Sequence, residues 1–155
     1  MNAVERFKTV DKLELFEPLK AGQSPKYMVF SCADARVCRT LTFGLQPGEA
    51  FTVRNIASMV TAYDERRRCS IGSAIEFAVV VLKVKIGLVA KKVERENMLL
   101  PFDDRCTVLE KEVVNLSLRN LQSYPFVKEK LEKGTLKLIG ARYDFVYGSF
   151  EMWDP

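Results

Sequence analysis

Residues 27–38 read YMVFSCADARVC, an apolar run that ends at a cysteine and continues into a short polar segment. The run at residues 27–31 follows a Ser-Pro pair, and its length and apolar character predict a buried strand. In open α/β sheets, ligand sites lie beyond the carboxyl ends of the strands. Cys32 is therefore predicted to lie at the edge of the sheet where such sites form.

Strand and helix patterns alternate along the rest of the chain. Residues 4–19 have the apolar spacing of an amphipathic helix that ends near Gly22, and the segment FTVRNI after the turn LQPGEA predicts a strand. The stretch IGSAIEFAVVVL has the valines of a strand but the length and alanines of a buried helix, and we assign it as a helix. The other predicted elements are helices over residues 105–122 and 124–133 and strands over residues 135–139 and 145–153.

This order predicts an α/β fold in which a mostly parallel sheet is flanked by helices. The 155 residues are expected to form one domain, with residues 1–22 as an N-terminal helical arm. No run approaches the roughly 18 apolar residues of a membrane span, and the N-terminus lacks an apolar signal core. We therefore expect a cytoplasmic protein with no membrane partner.

The charged and sulfur-containing residues exclude further classes of function. The arginines of ERRRC, residues 65–69, lack interleaved aromatic residues and are interpreted as a solvated loop, so no nucleic-acid partner is expected. Four cysteines without dense spacing predict reduced thiols. The chain contains no histidine, which removes the commonest neutral metal ligand and the commonest general base.

Cys32 has two interpretations. A small buried thiol is a common fate of cysteine and needs no function. However, alternate residues of an extended segment point the same way, so Asp34 and Arg36 are predicted beside the sulfur. The arginine would hold the carboxylate ionised and oriented, and a thiolate at such a place suits zinc.

The segment FSCADARVC, followed by LQPGEAFTVRNIASMV, resembles the plant-type β-carbonic anhydrases. The resemblance continues at IGSAIEFAVVVLKV, at RCTVLEKEVVNLSLRNLQSYPFV and at ARYDFVYGSFEMW, so it covers nearly the whole chain. It implies a β-carbonic-anhydrase-like fold and a zinc lyase that reversibly hydrates carbon dioxide to bicarbonate. In that family, two cysteines and one histidine hold the zinc.

The resemblance also implies roles for individual residues. Cys32 matches the first zinc-binding cysteine. Asp34 matches the catalytic aspartate, and Arg36 matches its arginine partner. The positions that bind substrate or line its pocket are matched by Gln46, Tyr63, Ile71 and Phe77.

One internal block of the family is missing. After the IEFAVVVLKV segment, the family continues with a central strand and a His-x-x-Cys motif that carries the other two zinc ligands. Here LKV runs directly into KIGLVAKKVERE, which resembles a later segment of the family. The zinc site is therefore expected to be incomplete, with little or no activity. The other thiols, Cys38, Cys69 and Cys106, do not form a matched zinc set with Cys32.

Loss of a central strand also threatens the fold. We hypothesise that residues 86–90, IGLVA, fill the vacant place, because this segment is short, apolar and follows the same helix. Lys91 would then stand where the family has its histidine, and an ammonium there would repel a metal.

Three interpretations of function remain open. The chain is an enzyme of carbon dioxide and bicarbonate, or a non-catalytic truncated isoform that forms homo- or hetero-oligomers with full-length family subunits. The third is an exon-skipped or mis-assembled gene product, for which the junction of Val84 and Lys85 would be the trace. For full-length relatives, the chloroplast is a second compartment to consider.

Overall fold

The protein is represented by a computed structural model, which describes residues 17–35, 37–38, 42–67, 69–93, 102–144 and 148–155. For residues 91–93 and 102–110 it describes the backbone only. The helix predicted over residues 4–19 lies mostly outside this range, and a 3-10 turn, Glu17–Ala21, is the described part of the arm. Arg36 also lies outside it, as does the side chain of Cys106.

Five strands of the described residues form one sheet: β1 Tyr27–Cys32, β2 Ala50–Asn55, β3 Ile86–Val93, β4 Lys137–Asp144 and β5 Ser149–Trp153. Their order is β2-β1-β3-β4-β5, and every pairing is parallel except that of β5 with β4. The predicted α/β class with a mostly parallel sheet is therefore confirmed. The one antiparallel strand is at the edge, where a short connection from β4 reverses the chain.

Strand β3 occupies the centre of the sheet, as hypothesised for residues 86–90. Ser31 of β1 pairs with Ala90 on one side, and Lys91 pairs with Arg142 of β4 on the other. Residues 87–90 are buried, so their uninterrupted apolar character suits a strand that is covered on both faces. The strand continues to Val93 because β4 pairs with it over its full length.

Helices cover the face of the sheet that carries Met28 and Phe30. They are α1 Ser70–Glu76, which continues as a π-helical turn at Phe77–Val81, then α2 Phe102–Gln122 and α3 Pro125–Glu132. The ambiguous segment at residues 71–82 is thus helical, and its valine-rich half is where the helix widens. No helix of the described residues is long and apolar enough to cross a membrane.

Element boundaries differ from the predicted ones mainly at the last two strands. The strand predicted over residues 135–139 begins later and runs to Asp144, because it follows the whole of β3. The strand predicted over residues 145–153 is described from Ser149, and residues 145–147 lie outside the described range. The helix predicted from residue 105 begins at Phe102.

Gly140 on β4 is required for the packing of the edge strand. A Cβ atom at Gly140 would lie 2.6 Å from Cε2 of Trp153, whose Nε1 donates to Oδ1 of Asn115 at 2.9 Å. We expect Gly140→Ala to cost about 1–3 kcal/mol in the free energy of unfolding, because the rigid indole must move. Chemical denaturation measures this cost.

A matched control for Gly140→Ala is Gly72→Ala in helix α1. A Cβ there would meet its nearest neighbours at 3.6 Å, which is ordinary van der Waals contact. This variant should be neutral or gain about 0.5–1 kcal/mol, because alanine favours the helix. Equal effects of the two substitutions would contradict the close approach at Gly140.

Candidate functional site

Cys32 is the last residue of β1, at the carboxyl end of the parallel strands. It pairs with Asn55, the last residue of β2, and by strand alternation it shares the face of Met28 and Phe30. Its thiol is half-buried and is not in a disulfide. Asp34 follows two residues later and is also half-buried, so the structure brings Cys32 and Asp34 to the predicted edge. The predicted pairing of Asp34 with Arg36 stays a prediction.

Arg54 of β2 holds the loop that carries these two residues. Its Nε donates to the carbonyl oxygen of Cys32 at 3.1 Å. Its Nη2 donates to the carbonyl oxygens of Asp34 at 2.8 Å and Val37 at 3.1 Å. Sequence reasoning did not single out this arginine, because nothing in FTVRNI indicates which backbone its side chain will meet.

The predicted substrate-binding residues lie in other parts of the fold. Gln46 is exposed in the turn before β2, so it lies near the amino ends of the two parallel strands β1 and β2. Cys32 lies at their carboxyl ends. Six paired residues separate the two ends, a distance of about 17 Å. Phe77 contacts Phe51 near that amino end, with ring centroids 5.8 Å apart. One chain therefore does not bring Gln46 to Cys32, and the roles of Gln46 and Phe77 stay predictions.

Tyr63 and Ile71 lie near a different cysteine. Tyr63 lines a cavity of about 530 Å³, and Cys69 and Tyr124 are among the other lining residues, whereas Cys32 is not. The rings of Tyr63 and Tyr124 meet at 5.4 Å, and Ile71 packs against the hydrophobic core. Cys32 is thus not among the described residues that line the cavity of Tyr63, and the roles of Tyr63 and Ile71 stay predictions.

The thiol of Cys69 caps helix α1. The Gly72 N–H donates to Sγ at 3.3 Å, and the Thr61 hydroxyl lies 3.7 Å from it. These two contacts, the Gly72 bond first, lower the pKa of Cys69. Sequence reasoning grouped this cysteine with the idle thiols. The missed signal was its place directly before a helix, where a side chain can accept from the first N–H groups.

We expect Thr61→Val to raise the pKa of Cys69 and to slow its alkylation at neutral pH. The hydroxyl favours the thiolate, which is the reactive form, so its removal leaves less thiolate below the pKa. The pH dependence of iodoacetamide alkylation measures this in a chain whose other cysteines are serine, with a short cysteine peptide as the control. A profile that is the same as that of the peptide would contradict the lowered pKa.

A charged network lies beside the carboxyl end of the central strand. Arg142 is 6% exposed and Asp144 is 3% exposed. Nη2 of Arg142 lies 3.9 Å from Oδ2 of Asp144, and Nη1 lies 3.6 Å from Oε1 of Glu151. The pKa of Glu151 is lowered, first by its hydrogen bond from Lys111. Lys91 holds the register position next to Arg142.

The side chains around Cys32 do not fit the zinc site that the resemblance implies. That site needs a second cysteine and a histidine, and the chain has no histidine. Within the described residues, no group of three His, Cys, Asp or Glu side chains is placed to hold a metal. Cys32 and Asp34 remain as potential ligands, with Arg142 and the register position of Lys91 on the neighbouring strands.

The family model for carbonic anhydrases matches residues 27–90 and 85–150. The Arabidopsis thaliana protein beta carbonic anhydrase 3 is 37% identical over 177 residues, which cover 90% of this chain and 69% of that protein. The chain belongs to the β-carbonic anhydrase family. Both family matches contain residues 85–90, where β3 begins.

Solved β-carbonic anhydrases share the fold of this family member. The enzyme CcaA superposes with a TM-score of 0.86 at 22% identity, covering 97% of this chain and 91% of its own. One of two tetrameric enzymes of Sordaria macrospora gives 0.77 at 22% identity, covering 97% and 91%. The Coccomyxa enzyme bound to acetazolamide gives 0.78 at 21% identity, covering 96% and 82%.

Proposed function

We propose that this β-carbonic anhydrase homologue does not hydrate carbon dioxide and acts as a non-catalytic subunit that docks with other family subunits. One observation carries the first half of the proposal. The central strand β3 runs into Lys91, which pairs with Arg142, whereas the resemblance implies a His-x-x-Cys motif after the central strand.

Two features support a missing internal block. The alignment with the Arabidopsis relative spans 177 positions, which is more than the 155 residues of this chain, so it includes positions without a counterpart here. The family model matches residues 85–90 twice, once at the end of the first segment and once at the start of the second. If an internal block is missing at this junction, residues 85–90 would match the family pattern both before and after that block, and the alignment would be longer than the chain.

The described residues around Cys32 also offer few ligands for zinc. Cys32 and Asp34 supply one thiol and one carboxylate at this edge of the sheet, whereas zinc in proteins is usually held by three or four side chains. The carboxylates of Asp144 and Glu151 already lie 3.9 Å and 3.6 Å from the guanidinium of Arg142. Within the described residues, a zinc ion at Cys32 would therefore lack the usual third protein ligand.

An exposed apolar surface supports the docking half of the proposal. Phe77, Val80 and Val81 on the π-helical turn are 40%, 46% and 59% exposed. Phe77 contacts Phe51 on β2, so the turn and the sheet edge form one apolar area. Large apolar side chains that are clustered and exposed in this way are typical of protein interfaces. We propose a second family subunit as the occupant, since the Sordaria macrospora relatives are described as tetrameric.

Zinc content tests the catalytic half of the proposal. We expect the purified, folded chain to carry no stoichiometric zinc by elemental analysis and to show no carbon dioxide hydration above the rate without protein. Near one zinc per chain, lost in Cys32→Ser, would overturn the proposal and show a substitute site. Light scattering with a full-length relative tests docking, and Val81→Asp should weaken any complex.

A further inference from the structure

We propose that Arg54 is a positioning residue that holds the Cys32–Val37 loop in place without any metal. The acceptors are three carbonyl oxygens of one short loop, those of Cys32, Asp34 and Val37, at 2.8–3.1 Å from the guanidinium. This role goes beyond the proposed function and does not depend on whether the chain binds zinc.

The loop needs such a partner because it leaves the sheet at Cys32. Carbonyl groups beyond a strand end lose their ladder partners and must find others. One ladder-like bond continues past the end, from the Ala33 N–H to the carbonyl oxygen of Asn55 at 2.8 Å. A second bond closes a turn, from the Val37 N–H to the carbonyl oxygen of Asp34 at 3.0 Å. Arg54 donates to the carbonyl oxygens of Cys32 and Val37, and it is a second donor to that of Asp34.

The chemistry of arginine suits this task. Its guanidinium is planar and presents several donors in a fixed fork, so one side chain can engage carbonyls that point to it from different residues. A lysine would place one ammonium at one point and could not span the same three oxygens in this geometry.

The consequence concerns the side chains that the loop carries. In many metal sites the ligand segments are ordered by the metal itself. Here the backbone on both sides of Asp34 is fixed by Arg54, so the Cys32 thiol and the Asp34 carboxylate start from a defined place. The geometry of half the family site is therefore retained independently of the missing half.

Alkylation of Cys32 tests the role of Arg54. In a chain whose other cysteines are serine, Arg54→Ala and Arg54→Lys should both raise the rate of iodoacetamide alkylation at least about tenfold, because one net hydrogen bond is equivalent to about that factor. Hydrogen exchange of the Ala33 and Val37 amides, which donate to the carbonyl oxygens of Asn55 and Asp34, should also become faster. The control is Arg119→Ala, which removes an exposed arginine on α2 whose guanidinium lies 3.9 Å from the Glu112 carboxylate.

Chemical rescue separates positioning from general destabilisation. Millimolar ethylguanidinium should restore slow alkylation in Arg54→Ala, whereas ethylammonium should not. An unchanged rate in folded Arg54→Ala, or a wild-type rate in Arg54→Lys, would overturn the proposal. If Arg54→Ala does not fold, the conservative variant Arg54→Lys decides: alkylation of Cys32 faster than in the wild-type protein supports the proposal, and a wild-type rate overturns it. None of these measurements involves zinc or turnover, so they stand apart from the test of the proposed function.

Discussion

Val89→Asp is expected to abolish folding of this chain. Val89 is 1% exposed in β3, between β1 and β4, and its surroundings form the main hydrophobic cluster. An unpaired carboxylate in such a place costs several kcal/mol. Because whole domains are stable by only about 5–15 kcal/mol, this single charge removes most or all of the folding free energy. Circular dichroism and hydrogen exchange of the purified variant measure the outcome.

Two further variants make this result specific to the central position of β3. Met152→Asp introduces the same charge on the edge strand β5, at a side chain that is 63% exposed, so it should change the free energy of unfolding by less than about 1 kcal/mol. Val89→Ala should cost about 2 kcal/mol, from the lost methyl groups and the space left behind. A Val89→Asp chain with wild-type stability would show that residues 86–93 are not in the sheet.

Asp144→Ala should lower the free energy of unfolding by about 3–5 kcal/mol, because it removes a partner of a buried charge. Arg142 and Asp144 are both buried on β4, and the guanidinium lies 3.9 Å from the carboxylate. In the Asp144→Ala variant, the buried guanidinium of Arg142 would still have the carboxylate of Glu151 at 3.6 Å, but that carboxylate is half-exposed and compensates the buried charge less well. Denaturant unfolding measures the loss.

The matched control for Asp144→Ala is Asp154→Ala, which removes a carboxylate from an exposed pair with Lys137. Exposed ion pairs contribute little to stability, so Asp154→Ala should lower the free energy of unfolding by less than about 1 kcal/mol. The double variant Arg142→Met/Asp144→Leu should be more stable than Asp144→Ala, since it leaves no buried charge. A cost for Asp144→Ala as small as that of the control would contradict a buried network at this edge.

Local sequence patterns were sufficient to predict most helices and strands and the position of Cys32 at the end of a strand. The apolar run before Cys32 predicts a buried strand, and the strand is there with Cys32 at its end. The helix at residues 71–82 was predicted from length and composition, although its π-helical turn was not. Such features depend on neighbours within a few residues, which a single sequence contains.

Contacts between distant segments were beyond those patterns. Arg54 meets carbonyls that precede it by 17–22 residues, and the Ser58 hydroxyl donates to the carbonyl oxygen of Ala90 at 2.6 Å, 32 residues away. The sequence around Arg54 or Ser58 does not indicate which distant carbonyl group the side chain will contact. The same limit applies to Gln46, whose distance from Cys32 follows from the parallel pairing of β1 with β2.

The sequence by itself determined that the chain has an α/β fold, that Cys32 ends a buried strand, and that no histidine is present to complete a zinc site. Only the tertiary structure decided that residues 86–93 form the central strand, that Lys91 pairs with Arg142, and that Arg54 holds the Cys32–Val37 loop. The reason is physical: periodicity reports which face of an element is buried, whereas strand order and register depend on pairings between segments far apart in the chain.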